Sequence, residues 1–170
     1  MYDISQNPAL NYNSKEAQIE LRRMTSHLPS KAEVYLIGGS VRNALFREFH
    51  QTVLTQRDYA QVVVNGSAEY RRYLAELGFV ERQYPSRQDE QVVFSKALNN
   101  TAQLGDSYTN WLVFDMHTVD GTTIEDNEIN NVCFTINGCA IKASELYNTP
   151  WETAVIQILP TAVQDIKTNS

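Results

Sequence analysis

The segment VYLIGGSVRNALF, residues 34–46, has residue types at a spacing that suits the binding of an anion. Gly38 and Gly39 separate two apolar stretches, and a pair of glycines lets backbone N–H groups approach a ligand closely. A helix that begins behind such a turn directs its free amides and the positive end of its dipole at the same place. A guanidinium in the first turn adds a planar donor suited to phosphate. The chemistry indicated is phosphate binding at Gly38, Gly39, Ser40 and Arg42.

A less specific interpretation of the same segment stays open. Two glycines before a helix also let a strand and a helix pack closely. Arg42 can then pair with a carboxylate, for which Asp58 and Glu48 are the candidates, instead of a phosphate. Ser40 is interpreted as the N-cap of the helix and not as a nucleophile.

The glycine turn requires a strand before it and a helix behind it. Residues 34–37 are predicted to form a short buried strand, and residues 41–48 a helix. Apolar residues at helical intervals predict a first helix over residues 14–28, preceded by a flexible N-terminus at residues 1–12. Residues 13–170 are then one domain, which is long enough to bury a core of its own.

Short apolar segments separated by turn residues continue to the end of the chain. Strands are predicted at residues 59–64, 79–83 and 91–95 and in NWLVFDMHTVDGTTIE, where the chain turns at Asp120-Gly121 and returns. A helix is predicted from Ser67, as its cap, to Leu77, and the segment AVIQIL near the C-terminus fits a helix or a strand. Strands and helices mix without strict βαβ alternation. The predicted fold class is therefore α/β (α+β), with helices packed on a mixed sheet that contains antiparallel pairs.

The composition is that of a globular protein, with 170 residues, 42% of them hydrophobic and 20% charged. No apolar run approaches the ~20 residues that span a bilayer, so no membrane partner is expected. The N-terminus lacks the pattern of a signal peptide, which makes a cytoplasmic location the expectation. A net charge of −6 argues, weakly, against broad RNA binding. Cys133 and Cys139 are interpreted as buried thiols, because two cysteines and scattered histidines do not make a tetrahedral zinc site.

Four segments follow one another in an order that is characteristic of one family. They are GGSVRNALF, QRDYAQVVVNGSAEY, LGFVERQYP and FTINGCA. Through them, residues 33–141 resemble the head domain of CCA-adding enzymes and bacterial poly(A) polymerases. The resemblance implies a nucleotidyltransferase-type mixed sheet with helices packed on it, and it implies a nucleotide or an RNA 3′ end as the partner. It stops before the neck, body and tail domains of that family.

Catalysis in this family depends on a D-x-D motif on the strand after the glycine turn. Two aspartates at i and i+2 on a strand point to one face, where they bind the divalent metals of nucleotidyl transfer. Here Asp58 aligns with either aspartate of the motif, which leaves Gln56 or Ala60 at the other position. One carboxylate survives in both alignments. Asp58 is therefore the candidate metal ligand, and Mg²⁺ is the cofactor implied if the chain is active.

The other catalytic segments of the family are also altered. The third carboxylate falls at Gln91, with neighbouring Glu90 and Asp115 as possible substitutes. The VRD motif has become residues 41–43, VRN, and the RRD motif that contacts the incoming nucleotide has become residues 131–133, NVC. The segments that persist are those that the fold and the turn need. This pattern predicts a pseudoenzyme.

Three hypotheses of function follow. The first is a degenerate head domain that is catalytically inactive and binds a nucleotide, an RNA end or a protein. The second is an active nucleotidyltransferase that adds nucleotides to an RNA 3′ end and uses Asp58 with Asp115 or Glu90 around one metal. The third is a structural subunit of a larger assembly, whose old cleft is filled by aromatic side chains. Candidates for that filling are Tyr59, Tyr108 and Trp111.

Overall fold

The computed structural model describes residues 15–51, 59–83, 91–98, 110–129 and 134–168. The strands are β1 (Glu33–Ile37), β2 (Tyr59–Asn65), β3 (Val80–Arg82), β4 (Gln91–Leu98), β5 (Asn110–Thr118), β6 (Cys139–Lys142) and β7 (Val155–Gln157). The helices are α1 (Lys15–Ser26), α2 (Gly39–His50), α3 (Ser67–Glu76), α4 (Ile124–Glu128), α5 (Trp151–Ala154) and α6 (Ala162–Thr168). Two 3-10 turns, Thr135–Asn137 and Ala143–Glu145, flank β6.

Within these residues the strands form one sheet of seven, in the order β3-β4-β5-β2-β1-β6-β7. The β2–β5 pair is parallel, and the other neighbouring pairs are antiparallel. The prediction of an α/β (α+β) fold with a mixed sheet is confirmed. The first strand, the glycine turn and the helix behind it also lie where the sequence predicts them.

The two faces of the sheet differ because successive side chains of a strand point to opposite sides. The main core lies on the face covered by α1, α2 and α3. Its large buried side chains include Leu21, Met24, Leu36, Leu45, Tyr70, Leu74, Phe94, Phe114 and Met116. The opposite face carries a smaller cluster, made of Tyr35, Val62, Val64, Ile124, Ala140 and Ile158. Helix α2, which follows the glycine turn, and helix α3, which follows β2, thus pack on the same face of the sheet.

The cap of α3 differs from the prediction. Gly66, not Ser67, is the N-cap, in the left-handed conformation with φ 70°. A Cβ at Gly66 would lie 2.4 Å from the carbonyl oxygen of Lys31, so the chain passes too closely here for any side chain. Ser67 is the first helical residue, and its hydroxyl donates to Asp120 Oδ2 at 2.8 Å.

One further segment follows a different course from the one predicted. The turn at Asp120-Gly121 is confirmed, but the chain continues into α4 instead of returning as a strand. The reason is a local cap, because the amide of Asp126 donates to Thr123 Oγ1 at 3.1 Å and starts the helix. In the segment AVIQIL, for which a helix and a strand were both open, residues 155–157 form β7 beside β6.

The predicted flexible N-terminus at residues 1–12 lies outside the described residues. No helix in the described part of the chain is both long and apolar enough to cross a membrane.

Candidate nucleotide-binding site

Gly38 makes the turn between β1 and α2, and its backbone requires glycine. Its φ of 71° and ψ of −137° lie where a residue with a Cβ is strained. No atom of the described residues, apart from the chain neighbours of Gly38, lies within 4 Å of the position that its Cβ would occupy. Close packing against those residues therefore does not explain the glycine at position 38, and its backbone conformation does.

The first turn of the helix behind Gly38 has amides that make no hydrogen bond within the helix. The amide of Arg42 donates to the carbonyl of Gly38 at 3.0 Å, which is the first backbone bond of α2. The amides of Gly39, Ser40 and Val41 precede it and have no partner within the helix. No acidic residue stands in the first turn of α2 and no side chain caps it. The positive end of the helix dipole is thus uncompensated by the helix itself.

Ser40 is not the N-cap that the sequence predicts. Gly38 occupies the cap position, and Ser40 is the second residue of α2 with 1% of its surface exposed. Its hydroxyl points back to the carbonyl oxygen of Ile37, at 3.4 Å. Ser40 can therefore offer a ligand its backbone amide, while its side chain belongs to the packing of helix on strand.

Arg42 is held by two side-chain amides. Its Nη1 donates to Asn137 Oδ1 at 2.8 Å, and its Nε donates to Asn43 Oδ1 at 3.0 Å. The sequence offers Glu48 as a partner instead, but no ion pair joins them among the described residues. Asp58, the other suggested partner, lies outside those residues. Neutral partners fix the orientation of the guanidinium without cancelling its charge.

Asn137 lies beside the glycine turn because of the register of β1 and β6. Ile37 pairs with Ala140 in this antiparallel ladder, so the residues before Ala140 run alongside the residues after Ile37. This register brings Asn137 next to α2, where its Oδ1 accepts the hydrogen bond from Arg42 Nη1. Sequence analysis did not single out Asn137 as a site residue. The feature of the sequence that could have identified it is its place in FTIN, one of the segments that resemble the family.

The turn that carries Asn137 is anchored to α6. Hydrogen bonds from the Thr135 and Thr161 hydroxyls to Asp165 lower the pKa of that carboxyl. The Thr161 bond is 2.9 Å long. On the other side of α6, His50 Nε2 lies 2.8 Å from the carbonyl oxygen of Ile166, which joins α6 to the end of α2. Helix α6 is thus hydrogen-bonded both to the turn that carries Asn137 and to the end of α2, the helix that carries Arg42.

Asp115 is the one predicted catalytic carboxylate that falls within the described residues. It lies on β5 and pairs in register with Ala60 of β2, which in turn pairs with Ile37. Residues in register on neighbouring strands share a face of the sheet. The cross-strand neighbours of Asp115 on that face are therefore Ala60 of β2 and Val93 of β4, which are both apolar. Gln61 points to the opposite face, where it is buried and accepts a hydrogen bond from the Tyr70 hydroxyl at 2.6 Å.

Other predicted residues cannot be placed in the same way. Asp58, Glu90, Tyr108 and Cys133 lie outside the described residues. For Tyr59, Gln91 and Trp111 the structure describes the backbone only, so the proposed filling of the cleft by aromatic side chains stays a prediction. Cys139 is buried as predicted, and burial raises the pKa of its thiol to about 12.

No group of three or more histidine, cysteine, aspartate or glutamate side chains converges among the residues that the structure describes. Across from Asp115 stands Ala60, which has no donor atom. In the described parts of β2, β4 and β5, Asp115 is the one carboxylate.

The fold, with its mixed sheet and its strand–glycine turn–helix unit, is similar to that of solved CCA-adding enzymes. One determined with CTP is 19% identical with a TM-score of 0.53, covering 91% of this chain and 33% of that chain. An apo form is 19% identical with a TM-score of 0.58, covering 98% and 35%. The Thermotoga maritima enzyme complexed with tRNA_CCA is 18% identical with a TM-score of 0.57, covering 98% and 34%.

The resemblance found in the sequence is thus confirmed at the level of the fold. The chain spans about a third of the length of these enzymes. No family model and no curated protein matches the sequence.

Proposed function

We propose that this chain is a binding module with a nucleotidyltransferase fold, which takes the phosphate of a nucleotide or an RNA 3′ end at the Gly38 turn and does not transfer nucleotides. The observation that carries the proposal is the Arg42 guanidinium, held by the amides of Asn43 and Asn137 beside an open glycine turn. A charged donor fixed by neutral partners suits an anionic ligand.

The proposed ligand contacts use the N–H groups of Arg42 that remain after its two hydrogen bonds to asparagine side chains. A guanidinium has five N–H groups, and the bonds to Asn43 and Asn137 use two of them. The remaining groups, together with the free amides of Gly39 and Ser40, can donate to phosphate oxygens. Bonds of this kind between charged groups are about twice as strong as neutral ones. Solved relatives of the same fold bind CTP and tRNA, which supports a nucleotide or an RNA end as the ligand.

The proposed inactivity rests on the carboxylates. Transfer of a nucleotidyl group requires two metals held between converging carboxylates, to activate the attacking hydroxyl and to neutralise phosphate charge. Both alignments of the sequence leave a single aspartate, Asp58, where the family has two. Asp115 faces Ala60 in the sheet. The negative charges of Asp58 and Asp115 alone do not neutralise the charge of two divalent ions.

An incorporation assay tests the inactivity. The protein is incubated with labelled CTP and ATP, a tRNA that lacks its CCA end, and Mg²⁺ or Mn²⁺. We expect no label in the tRNA, while a CCA-adding enzyme of the same fold, run in parallel, extends it. Incorporation that disappears in an Asp115→Asn variant would show that the chain is an enzyme.

The second candidate is that active enzyme, and the register of β2 and β5 is the observation that favours it. Asp115 pairs with Ala60, two residues after Asp58, so one carboxylate from each strand could serve a single divalent ion. The two candidates differ in what Ala60→Asp does. In a pseudoenzyme this change has no effect on incorporation unless further ligands are restored. In a one-metal enzyme it raises incorporation, because it supplies the missing carboxylate.

A further inference from the structure

We infer that the ring of Phe134 is the platform on which the base of the bound nucleotide stacks. The inference rests on the proposed function, because it places the base relative to a phosphate at the Gly38 turn. Phe134 has 67% of its surface exposed, and the other large exposed hydrophobic residues of the described chain are aliphatic. Single exposed hydrophobic residues are common on protein surfaces, so the inference rests on the position of Phe134 in the same turn as Asn137, the partner of Arg42.

The ring is connected to Arg42 by one short turn. The amide of Asn137 donates to the carbonyl of Phe134 at 3.0 Å, and Asn137 in turn holds the Arg42 guanidinium at 2.8 Å. A hydrogen-bonded turn of this kind brings its first and fourth Cα atoms to within about 7 Å of each other. The base and the 5′-phosphate of one nucleotide span a comparable length. Phe134 and the Arg42 guanidinium are thus joined by one turn and one hydrogen bond, and the inference places the base of a nucleotide bound at Arg42 on the side of Phe134.

The turn that carries Phe134 is anchored at both ends. Thr135, the next residue after Phe134, donates through its hydroxyl to Asp165 of α6. At the other end of the turn, the amide of Ile158 donates to the carbonyl of Gly138 at 2.7 Å. Among the described residues no aromatic ring and no cation stacks on Phe134. The ring is thus exposed on an anchored turn, where a base can stack on it.

Stacking on an aromatic face tolerates every base, because all bases have a π-face. The ligand class is therefore a nucleotide or a terminal RNA residue, with little discrimination between adenine and cytosine. Inorganic tripolyphosphate shares the anionic part of the ligand but has nothing to stack. The difference in affinity between ATP and tripolyphosphate measures the contribution of the ring.

Isothermal titration of ATP, CTP and tripolyphosphate into the whole chain tests this inference. Phe134→Ala should weaken ATP and CTP roughly ten-fold and leave tripolyphosphate within about two-fold of its original affinity. Phe134→Trp should keep or raise the affinity for both nucleotides. Ile19→Ala is the matched control, because it removes a side chain that is 56% exposed on α1. Circular dichroism checks that each variant is folded.

The outcomes separate this inference from the proposed function. If the unmodified protein binds ATP no better than tripolyphosphate, or if Phe134→Ala binds ATP as well as the unmodified protein does, stacking is wrong and the phosphate site stands. If neither ligand binds, both proposals are overturned. Loss of tripolyphosphate binding in Phe134→Ala also overturns the inference, because a stacking residue does not hold the phosphate.

Discussion

Arg42 Nη1 donates a 2.8 Å hydrogen bond to Asn137 Oδ1, across 95 residues of sequence. This contact joins the helix of the glycine turn to the FTIN segment, the two parts of the sequence that most resemble CCA-adding enzymes. It orients the guanidinium with an amide, which carries no charge. The proposed binding of phosphate depends on that neutral contact, because a carboxylate in its place would compete with the anion.

Changing the partner of Arg42 from an amide to a carboxylate tests the importance of its charge. Asn137→Asp places an anion against the guanidinium, so a bound phosphate must compete with an ion pair. We expect the affinity for tripolyphosphate to fall about ten-fold, as for the loss of one charged hydrogen bond. Asn148→Asp is the control, because it makes the same change in net charge at an exposed residue outside the site. An unchanged affinity in Asn137→Asp would mean that the anion binds elsewhere.

The two glycines that cap helices should differ in their tolerance of a side chain. Gly38→Ala is strained by its backbone conformation (φ 71°, ψ −137°), because no described atom beyond the chain neighbours lies within 4 Å of the new Cβ, and it should cost about 1–3 kcal/mol. Gly66→Ala combines a φ of 70° with a Cβ placed 2.4 Å from the Lys31 carbonyl oxygen. It should therefore lower the free energy of unfolding by more than Gly38→Ala does. Urea unfolding of both variants measures the difference, and the reverse order would contradict the description of the Gly38 turn as open.

The buried bond between Tyr70 and Gln61 should stabilise the main core. The Tyr70 hydroxyl donates to Gln61 Oε1 at 2.6 Å, both side chains are buried, and burial raises the pKa of the phenol. Tyr70→Phe leaves the amide oxygen without its donor and should lower the free energy of unfolding by about 1–3 kcal/mol. In a double-mutant cycle, Gln61→Met should recover part of that loss in the Tyr70→Phe background. Additive losses would show that the two groups do not interact.

Because Asp165 anchors the FTIN turn, the stability of the protein should depend on pH in the acid range. Hydrogen bonds from Thr135 and Thr161 lower the pKa of Asp165 in the folded protein below its unfolded value. The contribution of the carboxylate is therefore present above the unfolded pKa and is lost as the pH falls through the folded pKa. Urea unfolding between pH 6 and about pH 3 should show a shallower acid decline in Asp165→Asn than in the unmodified protein. Equal slopes would mean that these bonds do not favour the ionised carboxyl.

Local patterns in the sequence predicted the parts of the fold that depend on near neighbours. The apolar strand before Gly38, the helix behind it and the turn at Gly121 are of this kind. The caps were wrong at Ser40 and Ser67, because in both cases a preceding glycine with positive φ takes the cap position. That conformation is set by the space around the chain, as the approach of Lys31 to Gly66 shows, and not by the preference of a serine for caps.

The candidate site was only partly predictable, for a different reason. Its groups come together through the register of strands that are far apart in sequence. Charge complementarity favoured a carboxylate as the partner of Arg42, whereas the register of β1 and β6 supplies the amide of Asn137. The pairing of Ala60 with Asp115 likewise depends on a parallel pair that no local pattern specifies.

Isothermal titration of ATP and CTP into the purified protein, with Mg²⁺ and with a chelator in its place, is the most direct test of phosphate binding by Arg42 without a metal. We expect both nucleotides to bind in both conditions. We also expect Arg42→Ala to lose this binding while Arg72→Ala, the same loss of charge on the exposed face of α3, retains it. Binding that requires Mg²⁺, disappears in Asp58→Ala and survives in Arg42→Ala would contradict the proposed phosphate site and indicate a surviving metal site.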